Sequence, residues 1–69
     1  MNAEERRVAR RLEGRMVHVA MDNGVRVDDS ALISVGQHSV WLFVNGDDQF
    51  LPVDHVVAIW ESQPYRSAA

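Results

Sequence analysis

The stretch 39–59, SVWLFVNGDDQFLPVDHVVAI, constrains the fold more than any other part of the chain. It reads as strand, tight turn, strand, one-turn kink and strand. Val40 to Val44 is an unbroken apolar run rich in β-branched and aromatic residues, and it stops at Asn45-Gly46, a dipeptide that favours tight turns. Successive side chains on a strand point to opposite faces, so such a run needs cover on both. A sheet closing on itself as a barrel, or a neighbouring subunit, would supply that cover.

The chain has 69 residues, enough for a single domain over 1–69. A core of this size is marginal without a disulfide, a metal or self-association. There is no cysteine, which removes disulfides and thiolate zinc sites. His18, His38 and His55 are too far apart in sequence to form a local ligand pair, so no metal and no other cofactor is expected. Self-association is what remains, and a homo-oligomer is expected. No apolar run approaches the roughly 18 residues of a membrane span, and the N-terminus is charged, so a cytoplasmic protein without membrane association is expected.

Charge is unevenly spread. Residues 1–15 hold five Arg and three Glu, a net +2, while 16–69 hold Arg26 and Arg66 against seven acids, a net −5. A polyanion would be drawn to the N-terminal segment and repelled by most of the rest.

Asn2-Ala3-Glu4-Glu5 has the form of a capping box, and the spacing predicts a helix over about 3–13 ending near Gly14. Val8, Ala9 and Leu12 form its apolar stripe, with Glu4–Arg7 and Arg10–Glu13 as outward i, i+3 pairs. Met16 to Met21 then alternates as a strand, with Val17, Val19 and Met21 on one face. A three-residue loop with Gly24 left-handed pairs Met21 with Val25 and Val19 with Val27, whereas a two-residue turn would waste the apolar face. Asp28-Asp29-Ser30 breaks the alternation at a bend or bulge, and Ala31, Ile33 and Val35 resume it. Gly36-Gln37-His38 is a turn. In the second hairpin a four-residue loop, 45–48, sets Phe43 against Phe50, Leu42 against Leu51 and Val40 against Val53. Pro52 cannot donate to a ladder, so pairing should break there on at least one side. Val53-Asp54-His55 is a kink, Val56 to Trp60 the last strand, and 62–69 a tail.

One helix followed by five short, bent strands resembles the Sm-like small barrels, the family that includes the Hfq RNA chaperones. The likeness covers roughly 6–60 and rests on three places. Residues 19–27, VAMDNGVRV, are similar to the family's first hairpin. Gln37-His38-Ser39-Val40-Trp41-Leu42 looks like its loop and third strand. Val53-Asp54-His55-Val56-Val57-Ala58-Ile59 is similar to the Hfq signature Tyr-Lys-His-Ala-Ile-Ser. Asp54 stands where the signature has lysine, Gln37 where the family has its usual acid, and Asp29 near its usual glycine. The fold class implied is a mainly β, five-stranded Sm-like (SH3-like) barrel over about 15–60 with one N-terminal helix. The resemblance also implies a ring built by pairing edge strands, with single-stranded RNA at the inner loops.

By that resemblance His55, with Gln37, His38 and Ser39, would line a pore and contact bases. The plainer reading of His55 is a turn histidine partnered by its neighbour Asp54, whose charge repels phosphate. Arg6, Arg7, Arg10, Arg11 and Arg15 form either a nucleic-acid face or simply a solvated one. Trp41, Phe43, Phe50 and Trp60 alternate on strands, which suits core or subunit interface better than base stacking. Val44, Trp41 and Trp60 are the interface candidates. Asp28-Asp29 and Asp47-Asp48 lack any cation-loop pattern, and no nucleophile elbow or phosphate loop exists. Nothing reads as catalytic. The expected function is an oligomeric module that binds single-stranded RNA weakly; the alternative is a protein-interaction module with no nucleic-acid role.

Overall fold

The helix starts where it does because its first turn is closed by side chains. Asn2 Oδ1 accepts the Glu5 N–H at 2.8 Å and Glu5 Oε1 accepts the Asn2 N–H at 3.0 Å, a reciprocal capping box. The computed structural model describes residues 1–62. Of the expected tail, 62–69, all but Ser62 lies outside the described residues. The elements are α1 (Ala3–Arg10), β1 (Met16–Met21), β2 (Arg26–Val35), β3 (Ser39–Val44), β4 (Asp47–Pro52), a 3-10 turn (Val53–His55) and β5 (Val56–Glu61).

The α-helix is shorter than 3–13. Past Arg10 the chain tightens into three-residue bonds, Leu12 N–H to Ala9 C=O at 2.9 Å and Glu13 N–H to Arg10 C=O at 3.1 Å. These satisfy carbonyls that the helix end leaves open. Gly14, left-handed as expected, then turns the chain into β1. Ala9 is buried and Leu12 packs on the core, but Val8 stays half exposed, so the docked stripe is narrower than the sequence implied. Arg10 and Glu13 do not pair outward. Glu13 Oε2 accepts the Val35 N–H at 2.8 Å and Arg10 Nε donates to the Val35 carbonyl at 3.2 Å, so together they clamp the end of β2.

The five strands form one antiparallel sheet in the order β4-β3-β2-β1-β5. The first hairpin has the register read from its apolar face. Val19 pairs with Val27, Met21 N–H donates to the Val25 carbonyl at 2.9 Å, and Gly24 has φ +87°. The ladder slips between Val17 and Val19, where Asp28 and Asp29 together oppose His18: the expected bulge, with Asp29 at φ +52°.

The alternation assigned to Ala31, Ile33 and Val35 needs correction. Leu32 is fully buried and Ile33 faces out. A second slip, between Leu32 and Ser34, inserts Ile33 as an extra residue and brings Val35 back to the core face. The second hairpin also differs. Asn45 and Gly46 both take positive φ, +54° and +82°, and form a two-residue turn. Positive φ at both central positions matches the twist of the flanking strands, and Asn-Gly tolerates it best. Val44 therefore pairs with Asp47, Phe43 with Asp48, Leu42 with Gln49, Trp41 with Phe50 and Val40 with Leu51. The expected partners of Phe43, Leu42 and Val40 are displaced by two residues, which leaves every face unchanged.

Val17, Val19, Leu32, Val35, Val40, Leu42, Val53 and Val56 form the core with Ala9. Ser30, the one buried polar residue among those described, donates to the Val17 carbonyl at 3.2 Å. Pro52 ends β4 beside Ser39 with no strand on its other side, in keeping with its missing donor. Among the described residues no ladder joins β4 to β5. The sheet is open, and those two strands are its edges.

Candidate functional site

Three surfaces hold the residues singled out from the sequence. The first is the helix. Arg7 lies 3.9 Å from Glu4, Arg10 is bound to Val35, and Arg15 Nη1 meets Glu61 Oε2 at 3.1 Å. Among the described residues the Arg6 and Arg11 side chains have no hydrogen-bonded or ionic partner, so the free positive charge of this face is smaller than five arginines suggest. The Arg10–Val35 bond sets the helix next to the loop that begins at Gly36.

The second surface is that loop together with the 3-10 turn. Gly36 N–H donates to the Ser39 carbonyl, and Val53 N–H donates to the His38 carbonyl, both at 2.9 Å. Gln37, His38 and Ser39 thus adjoin 53–55, and these two segments do come together. His55 is exposed, but its partner is not Asp54. Its Nδ1 lies 2.9 Å from Asp22 Oδ2, while the Asp22 N–H donates to the His55 carbonyl at 2.8 Å. The expected local pairing is corrected here, because the first hairpin loop reaches across to the turn. The Asp22 hydrogen bond and charge raise the His55 pKa above its ordinary value, with Asp54 adding a smaller push.

The third surface is the outer face of β3 and β4. Trp41 stacks on Phe50 with ring centroids 5.5 Å apart, and its Nε1 donates to Asp48 Oδ1 at 2.9 Å. Phe43 and Ile33 extend this patch, and Phe50 is 60% exposed. These rings are not core, as alternation with Val40 and Leu42 requires, and among the described residues nothing covers them. Val44 is half-buried at the turn.

Trp60, on β5, sits in a polar cluster that the sequence did not reveal. Its ring lies 5.7 Å from His18, and the Arg26 guanidinium lies 5.2 Å over it. Arg26 Nη2 also bonds Asp28 Oδ1 at 2.8 Å, and that bond holds the Asp28 carboxyl below its usual range. The signal was present: pairing Val19 with Val27 already sets His18 opposite Asp28.

Between α1 and β5 runs a groove of about 280 Å³, floored by Val8, Ala9, Val57 and Ile59 and rimmed by Glu4 and Glu5. No group of three His, Cys, Asp or Glu among the described residues is placed to hold a metal ion. No helix among them is long and apolar enough to cross a membrane. Comparison with models of known protein families, and with curated proteins, gave no match.

Proposed function

We propose that the chain is a non-catalytic module of the Sm-like small-barrel kind that works as a homo-oligomer, its copies joined edge to edge into a ring. One observation carries the reading: among the described residues β4 and β5 are both open edges of one sheet, and the aromatic face beside β4 is uncovered. An edge strand offers a row of unpaired N–H and C=O groups, and pairing unlike edges is a heterologous contact, which makes a ring where the rotation between copies closes and a filament where it does not. Val44, Trp41 and Trp60 are the proposed interface residues. Native mass spectrometry and light scattering test this, and a lone species near 7.8 kDa at micromolar concentration rejects it.

A second reading, weak binding of single-stranded RNA, rests on Arg6 and Arg11. Arg7 and Arg10 lie on the same helix, and Gln37, His38, Ser39 and His55 lie on the adjoining loops. The opposing consideration is charge. The remainder of the chain is acidic, and His55 is engaged by Asp22. Protein contact is accordingly the primary role, and nucleic acid the secondary one. Salt-dependent binding of oligo-U or oligo-A separates them.

A further inference from the structure

Two partners converge on one nitrogen of His18. The Asp29 N–H donates to Nδ1 at 3.2 Å, and Asp28 Oδ1 lies 3.1 Å from the same atom. Accepting the amide requires a bare lone pair, whereas bonding the carboxylate requires a proton. A single ring nitrogen serves one or the other. We propose that His18 is a proton-operated switch for the β2 bulge: neutral, it accepts the Asp29 amide and holds the bulge; protonated, it donates to Asp28 and lets that amide go.

In the neutral state the ring proton sits on Nε2, which lies 4.0 Å from Asp29 Oδ1. The Nδ1 lone pair then faces the Asp28 carboxylate, an unfavourable approach that Arg26, bound to the same oxygen, offsets. In the protonated state Asp28 lies between two cations, and the Asp29 N–H meets an N–H instead of an acceptor. The amide has to turn away. Asp29 is held at φ +52°, a conformation that non-glycine residues rarely adopt, so the segment is strained before the switch acts.

The switch has an output at the end of β5. Ser62 Oγ donates to Asp29 Oδ1 at 2.9 Å, where the chain leaves the sheet, and the Trp60 ring lies against both His18 and Arg26. Movement of Asp29 or release of Arg26 is therefore felt at Trp60. The charged groups around His18 are Asp28, Asp29 and Arg26 from β2, with Glu61 of β5 one residue past Trp60 and held by Arg15. His18 keeps one fifth of its side chain exposed, so protons reach it. The device acts within one chain and depends on neither RNA nor association.

The test is a pH titration of the full chain by NMR. Expected at high pH is the tautomer with the proton on Nε2. As His18 protonates, the protection of the Asp29 amide, its exchange rate taken relative to the intrinsic rate at each pH, should fall on the order of tenfold, the loss of one hydrogen bond at a local opening, with the same midpoint as the ring. Trp60 signals should move with that midpoint. His18→Gln should abolish the step at both residues. Asp28→Asn, a milder change, should leave the Asp29 bond of the neutral form in place, since that bond uses the Nδ1 lone pair alone. A proton on Nδ1 at high pH, or an Asp29 amide indifferent to His18 protonation, overturns the proposal.

Discussion

Asp22 and His55, 33 residues apart, are tied twice: side chain to side chain at 2.9 Å, and Asp22 N–H to His55 carbonyl at 2.8 Å. The first hairpin loop is thereby latched to the 3-10 turn that leads into β5. The side-chain half of the latch depends on pH. The folded-state pKa of His55 is raised, so its contribution is fully present below the unfolded value of about 6.5 and is lost as pH rises through the folded one. Melting temperature should fall as pH is taken from the acid side of that window to above it. Asp22→Asn should flatten that fall and bring the His55 titration, followed by NMR, back toward its ordinary midpoint. Asp28 has the opposite sign: its depressed pKa gives stability that is present above about 3.8 and lost as pH falls through the folded value.

The second slip in β2 makes neighbouring positions differ sharply. Leu32 is fully buried and Ile33 is 41% exposed. Leu32→Ala should cost about 2–5 kcal/mol, the range for deleting a buried aliphatic side chain. Ile33→Ala should cost well under half of that. Urea denaturation of the two variants measures both. A larger loss at Ile33 than at Leu32 would mean that β2 keeps the strict alternation of Ala31, Ile33 and Val35 and that the slip between Leu32 and Ser34 is absent.

What the sequence revealed, and what it hid, follows from the range of each interaction. The first hairpin was legible because a one-residue error would have exposed Val17 and Val19, and Gly24 marked the one left-handed position. The second was misread because a shift of two residues leaves every side chain on its own face. Apolar pairing then cannot choose the register, and only the turn preference of Asn45-Gly46 can. Ile33 was placed inside because nothing in Leu32-Ile33-Ser34 announces an inserted residue. The charge sites were the least legible. Asp54 was the obvious partner for His55 in sequence, and Asp22 reaches it only through the fold. Arg10 and Glu13 likewise looked like an outward pair until β2 was there to receive them.

Gly24 has φ +87° and open space around the position of a Cβ, so substitution there tests backbone strain free of crowding. Gly24→Val should cost about 1–3 kcal/mol, since a β-branched residue resists the left-handed region. The denaturation midpoint should fall with an unchanged slope, because the surface exposed on unfolding stays the same. A shift in melting temperature of under about a degree or two would show that the loop relaxes into another turn.

If the chain binds single-stranded RNA, the sign of its charges says where. Residues 16–69 carry a net −5, His55 is held by Asp22, and Arg10 and Arg15 are occupied by Val35 and Glu61. Arg6 and Arg11 are the arginines whose side chains have no partner among the described residues. Arg6→Glu with Arg11→Glu should abolish binding to oligo-U or oligo-A. His55→Ala should change affinity by less than about tenfold, or roughly 1.4 kcal/mol. Fluorescence anisotropy at low and moderate salt decides it, since contacts between arginine and phosphate weaken steeply as salt rises. Tight, salt-insensitive binding that vanishes in His55→Ala would move the site to the loops at Gln37–Ser39 and His55. No binding even at low salt, in a protein that is still oligomeric, would leave protein contact as the module's role.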